Sequence, residues 1–310
     1  MNAQSNTLSE SFETPRDVTV VMSASRPLYW SLRRELEENR WIYLGQLAVA
    51  AVYLLGFLLS LHHLPVKMRA ITGNNAMQHS EAVTAPYEIA AGIMMATLIL
   101  MSFFYCADAL YGERRDRSIL FWKSLPVSDV TTVLAKATVP LIILPLLTFA
   151  VTVVMHIVML LLNSAALAAS GISVASFWSE LRIFPMWGQL LYHLLTAHAL
   201  WPFPVFCWLL LVSSWAPRAV LLWAALPVVA IAGIEKLVFN TAHFISMVLF
   251  RLIGGGAPTD ITQGNMMPFG PMTHLTPLRF LGAPGLWIGF LFAAACLAAA
   301  VWSRRSRGPI

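Results

Sequence analysis

Six stretches of this chain stay apolar for long enough to cross a lipid bilayer: residues 41–61, 87–110, 131–162, 188–212, 219–238 and 284–303. An α-helix rises about 1.5 Å per residue, so roughly 30 Å of hydrocarbon takes about 20 apolar residues. The expected fold is therefore all-α and polytopic, with six transmembrane helices in one domain over residues 26–310. Composition agrees, because 58% of the 310 residues are hydrophobic and 11% are charged, with a mean hydropathy of +0.70. Soluble domains carry about 25% charged residues, and no room is left here for a large one.

An even number of crossings brings both termini to one side, and the basic residues choose which. With the N-terminus inside, fourteen Lys and Arg residues fall in cytoplasmic segments and five outside, while Lys236 lies near the outer end of span five. Positive charge collects on the cytoplasmic side of membrane proteins. The chain is thus expected in the inner (plasma) membrane, multi-pass, with cytoplasmic N- and C-termini. The same bias accounts for the +5 net charge without invoking nucleic acid. Residues 1–25 are polar and lack an apolar run of signal-peptide length, and read as a disordered cytoplasmic tail. Cys106, Cys207 and Cys296 each fall in an apolar run with no paired spacing, as buried thiols do.

Ahead of the first span, residues 27–40 read as an amphipathic helix. Pro27 suits a first helical position, Leu28, Leu32 and Leu36 share one face, and Arg33, Arg34, Glu37 and Glu38 take the rest. Such a helix lies along the bilayer surface with its apolar stripe among the headgroups. Residues 63–86 and 163–187 read as modest outer loops. Residues 239–283 hold Gly254-Gly255-Gly256 and four prolines, with an apolar start from Phe239 to Leu252, and suggest an outer-leaflet hairpin before span six. Pro140, Pro145, Pro202, Pro204, Pro217 and Pro227 are expected to kink or interrupt the spans around them.

Between spans two and three comes a charged block, Glu113-Arg114-Arg115-Asp116-Arg117-Ser118-Ile119-Leu120-Phe121-Trp122-Lys123-Ser124-Leu125-Pro126. Gly112 permits a turn, and Glu113 and Asp116 favour the positive end of a helix dipole. Ile119, Phe121 and Trp122 form an apolar surface, Pro126 stops the helix, and Ser128 or Asp129 can cap span three. A solvated charge run is the plain reading, but large aromatics in a loop need something to pack on. The block is therefore expected to be one short docking helix over residues 113–125.

The run Glu113 to Ile119, followed by Ser124-Leu125-Pro126-Val127-Ser128 and Lys136, resembles the signature of type-two ATP-binding-cassette exporter permeases. Arg115 replaces a usual second acid, and Arg117-Ser118 stands where many members carry Gly-Thr. The resemblance implies a permease homodimer in the bilayer, bound by two cytoplasmic P-loop ATPase subunits that hold ATP and Mg. It makes the block the coupling helix, with Glu113, Arg114, Asp116, Ile119, Phe121 and Trp122 at the docking face. Arg33, Arg34, Glu37 and Arg218 become secondary contacts. This chain contains no Gly-Lys pair and hence no P-loop. It is expected to be a non-catalytic subunit without a cofactor of its own.

Other residues carry weaker signals. His156, His193 and His198 lie in spans without a metalloprotease motif and suit polar interhelical contacts rather than a metal. Glu235-Lys236, charges within a span, read either as an interfacial pair or as part of an outer gate. The rival reading of the whole chain is a carrier or channel driven by an ion gradient, with no ATPase partner.

Overall fold

The computed structural model describes residues 25–63, 76–123, 127–171, 173–181, 183–253 and 277–306. The described residues are helical with connecting turns, and no strand occurs among them. Helix α1 (Ser25–Glu38) meets α2 (Trp41–Ser60) at an elbow of Asn39 and Arg40. There follow α3 (Ala76–Asp108), the short α4 (Tyr111–Arg115) and α5 (Ser118–Lys123), and the long α6 (Asp129–Ala169). Next come α7 (Val174–Glu180), α8 (Ile183–Leu200), α9 (Phe203–Trp215) and α10 (Val220–Phe239). The last are α11 (His243–Ile253), α12 (Pro277–Leu281) and α13 (Pro284–Ser306).

Five helices are long and apolar enough to cross a membrane, and α8 with α9 makes a sixth if this bent pair is one span. Several boundaries differ from expectation. Helix α3 starts at Ala76, so part of the expected loop 63–86 is helix, and Pro86 lies inside it. The region 163–187 is mostly helical, because α6 runs to Ala169 and α7 and the start of α8 fill the rest. The expected tail lies outside the described residues except for Ser25, as does the glycine-rich part of 239–283. Phe239 closes α10, Asn240 adopts a left-handed conformation at φ 51°, and the short apolar helix begins only at His243.

Proline shapes the bundle as its missing N–H requires. Around Pro140, α6 widens into a π turn over Val139–Ile143. At Trp201-Pro202 the chain bends by 44° between α8 and α9. Arg251 meets that break: its Nε donates to the Trp201 carbonyl at 2.9 Å, and its Nη2 to the Gly285 carbonyl at 3.0 Å. The guanidinium also lies 4.5 Å from the Trp201 ring centroid, an arrangement that offsets its desolvation. By contrast, Pro227 stays inside an unbroken α10.

Among the described helices, α9 and α13 make the most extensive pairing. Gly289, Ala293, Cys296 and Ala300 are buried along one side of α13. Small side chains let helix backbones approach, and the contact is then held by van der Waals packing. Phe206, Cys207 and Leu210 of α9 join Ala293 and Cys296 in a central core with Leu98 and Tyr105 of α3. A second core joins Ala50 and Phe57 of α2, Tyr87 and Met94 of α3, and Met155 and Met159 of α6. Helix α10 lies at the edge, with Val220 and Ala224 its buried residues.

Candidate functional site

The charged block is two helices, not one. Helix α4 ends at Arg115, and Arg117 adopts a left-handed backbone at φ 58° before α5 begins. A non-glycine residue there is uncommon, and it turns the chain so that the two halves of the block face differently. Glu113, Arg114 and Ile119 point inward and are buried. Arg115, Asp116 and Arg117 are exposed, and so are Leu120 and Phe121, the latter at 60%. A docking face that uses the Glu113, Arg114 and Ile119 side chains is not presented in this conformation. The Trp122 side chain, the expected end of the helix at Leu125 and the Pro126 stop lie outside the described residues.

Glu113 turns inward because it belongs to a buried ion cluster at one end of the bundle. Its Oε1 meets Lys136 Nζ of α6 at 3.2 Å and Arg34 Nη2 of α1 at 3.0 Å. Its Oε2 accepts a short hydrogen bond from Arg304 Nη1 of α13. Lys136 Nζ also donates to Glu35 Oε1 of α1 at 2.7 Å, and Arg34 Nη2 to the same oxygen at 3.0 Å. Tyr105 Oη of α3 donates to Glu35 Oε2 at 2.9 Å. Arg304 Nε reaches Asp129 Oδ1 at 2.9 Å. Glu35 is 1% exposed and Lys136 2%.

Glu35, Glu113 and Asp129 thus balance Arg34, Lys136 and Arg304, contributed by α1, α4, α6 and α13, while the exposed Glu38 also lies 3.6 Å from Arg34. The balance matters, since an uncompensated buried charge costs about 3–5 kcal/mol. Two further bonds extend the junction to the end of α9. Arg114 Nη1 donates to the Ala216 carbonyl at 3.1 Å, and Ser303 Oγ to the Ser214 carbonyl at 3.4 Å. Ser128 supplies the local start of α6, its Oγ accepting from the Thr131 N–H at 3.1 Å.

Helix α1 packs with its polar side inward. Ser31 and Glu35 are buried, while Leu28, Leu32 and Leu36 are only partly covered. Leu32 and Leu36 line a shallow groove with Tyr29 and Tyr43, and Arg33, Glu37 and Arg40 edge it. Of the expected secondary contacts, Arg33 and Glu37 form an exposed pair at 2.8 Å. Arg34 is drawn into the ion cluster, and Arg218 is exposed. Burial pushes the Glu38 carboxyl above its ordinary range, outweighing the nearby Arg34.

Glu35, Lys136, Arg304, Asp129 and Tyr105 were not among the site residues expected from sequence. One signal for them existed: a lysine placed eight residues after Ser128, inside an apolar run, demands a carboxylate partner. Which carboxylate it finds depends on helix packing.

At the opposite end of α10, Glu235 and Lys236 do not pair with each other. Glu235 Oε1 accepts from Thr241 Oγ1 and the His243 N–H, both at 2.7 Å, and Oε2 from the Phe244 N–H at 2.8 Å. The carboxylate therefore caps the first turn of α11. Lys236 Nζ lies 3.5 Å from the Asn240 carbonyl. His156 bridges helices: its Nδ1 accepts from Trp187 Nε1 at 3.2 Å, which leaves Nε2 protonated to donate to the Tyr87 carbonyl at 3.1 Å. Among the described residues no group of three His, Cys, Asp or Glu is placed to hold a metal ion.

No protein-family model, curated protein or solved structure matches this chain.

Proposed function

We propose that this chain is the membrane subunit of an ATP-driven exporter, moved by a separate cytoplasmic ATPase that engages the α4–α5 segment. One observation supports this reading above the others. Leu120 and Phe121 stand exposed on α5 while the base of the same segment is anchored through Ile119 and the Glu113 ion cluster. A force applied at such a tip reaches α1, α6 and α13 through short buried contacts instead of being lost in a slack loop. Conformational work of this kind requires contacts that differ between two states, and a charge cluster shared by four elements can repartner.

ATP and Mg belong to the partner in this scheme, and the sequence offers no P-loop to bind them. The docking face narrows to Leu120, Phe121, Arg115 and Asp116, with Arg33, Glu37 and Arg218 as secondary contacts. The apolar outer surface of α10 suits either lipid or a second copy of the chain, in keeping with a homodimer.

The test is purification of the tagged chain from its own membrane, followed by identification of bound proteins and assay of ATP hydrolysis. A P-loop ATPase should co-purify, and L120A/F121A should lower its recovery at least about tenfold, as loss of an apolar hot spot does. ATP hydrolysis absent from the wild-type preparation, or recovery unchanged in the double variant, defeats the reading.

A further inference from the structure

Arg304 lies in the last turns of α13, 3% exposed, and its guanidinium spans the two ends of the segment that joins α3 to α6. Nη1 bonds Glu113 in α4, and Nε bonds Asp129, the first residue of α6, at 2.9 Å. The two carboxylates flank α5. Glu113 has other cationic partners in Lys136 and Arg34, whereas among the described residues Arg304 is the ion-pair partner of Asp129. A planar guanidinium presents its donors in a fixed fork, so one side chain holds two acceptors at a set separation. Ser303, the preceding residue, ties the same turn of α13 to the Ser214 carbonyl of α9.

We propose that Arg304 is a positioning residue, a clasp that closes the base of the α4–α5 crossing and makes it move as one body with α13. With the clasp shut, the exposed tip at Leu120 and Phe121 has a fixed direction relative to the bundle. With it open, Asp129 loses its cation and the two flanks of α5 are joined by one ion pair among the described residues, Glu113–Lys136 at 3.2 Å. Lysine is a poor substitute, because a single ammonium on a flexible stem does not reproduce the spacing of the fork. The purpose of the clasp in transport rests on the exporter reading; its mechanical effect does not.

The experiment uses the full chain in lipid nanodiscs, with spin labels at cysteines replacing Phe121 and Trp302, both exposed. A control pair replaces Val52 of α2 and Val154 of α6, exposed positions on two helices that pack together. The native cysteines are buried, so labelling is directed to the new sites. The 121–302 distance distribution should be narrow in the parent chain and about double in width in R304Q, with R304K between them and the 52–154 pair unchanged. D129N should reproduce R304Q, and the double variant should add little, as partners in one interaction do.

An unchanged 121–302 distribution in R304Q overturns the proposal. So does equal broadening of both label pairs, which means general loosening of the bundle. If R304Q does not yield folded protein, R304K and D129N carry the same comparison. No ATPase is needed, so failure of the exporter reading would appear in co-purification and leave this measurement as it stands.

Discussion

Lys136 shows how much of this molecule depends on single buried charges. Its ammonium sits between Glu35 and Glu113 at 2.7 and 3.2 Å, in a place where water does not reach it. Replacing it with methionine keeps the bulk of the stem but leaves one net negative charge buried. K136M is expected to destabilise the chain by about 3 kcal/mol, measured as thermal or denaturant unfolding in detergent. Adding E35Q restores the charge balance, so K136M/E35Q should be more stable than the sum of the two single variants implies. Strict additivity would mean that the lysine and the glutamate are not coupled. From sequence, the lysine was visible as a cation near the start of span three, but its partners were not. Glu35 falls beside the Leu28–Leu32–Leu36 stripe without being singled out by the sequence, yet the packing buries it against Lys136.

At the scale of elements, close helix approach is set by where glycine falls and by what stands opposite. A Cβ on Gly45 would overlap the terminal methyl of Met101, the far end of a flexible side chain that can swing away. A Cβ on Gly289 would overlap Arg251 Nη2 and lie 2.9 Å from Pro204 Cγ. Neither neighbour yields readily, since the guanidinium is held by two carbonyls and the proline ring is rigid. G289A should therefore cost about 1–3 kcal/mol by overpacking, while G45A should fall below about 1 kcal/mol. Unfolding midpoints of the two variants check the order, and a reversed order would show that the α9–α13 contact is softer than its geometry implies.

Helix existence was legible at this scale and continuity was not. The apolar runs located the five membrane-length helices and the bent α8–α9 pair, and Pro202 marked a real break. The charged block hid its division, because the left-handed residue that splits it is Arg117 rather than glycine. Likewise, Glu235 reads from sequence as half of an interfacial pair or of an outer gate, and it caps α11 from the preceding helix. That role depends on a tight turn at Asn240, which composition does not reveal.

Across the whole molecule, the ion cluster gathers the end of α1 that leads into α2, the end of α3, the start of α6, the end of α9 and the end of α13 at one pole. Such alternation is what six crossings require. Labelling tests it: cysteines at Trp30, Phe121 and Trp302 should react with an impermeant maleimide from one side of sealed vesicles, and a cysteine at Leu278, 87% exposed, from the other. Reaction of positions 121 and 278 from the same side would discard the six-span arrangement. The positive-inside bias predicts that the first group faces the cytoplasm.

By itself the sequence determined that the chain is a bundle of membrane-length helices and roughly where each one runs. Apolar length and proline placement act locally, through backbone hydrogen bonding and transfer of a contiguous segment out of water. Tertiary structure alone decided that Arg34, Glu35, Glu113, Asp129, Lys136 and Arg304 share one largely buried site, because their attraction depends on distance in space. Glu113 and Arg304 are 191 positions apart along the chain. They meet where α13, packed along α9 by its small residues, ends beside α4, and that choice of neighbour is a property of the packed bundle.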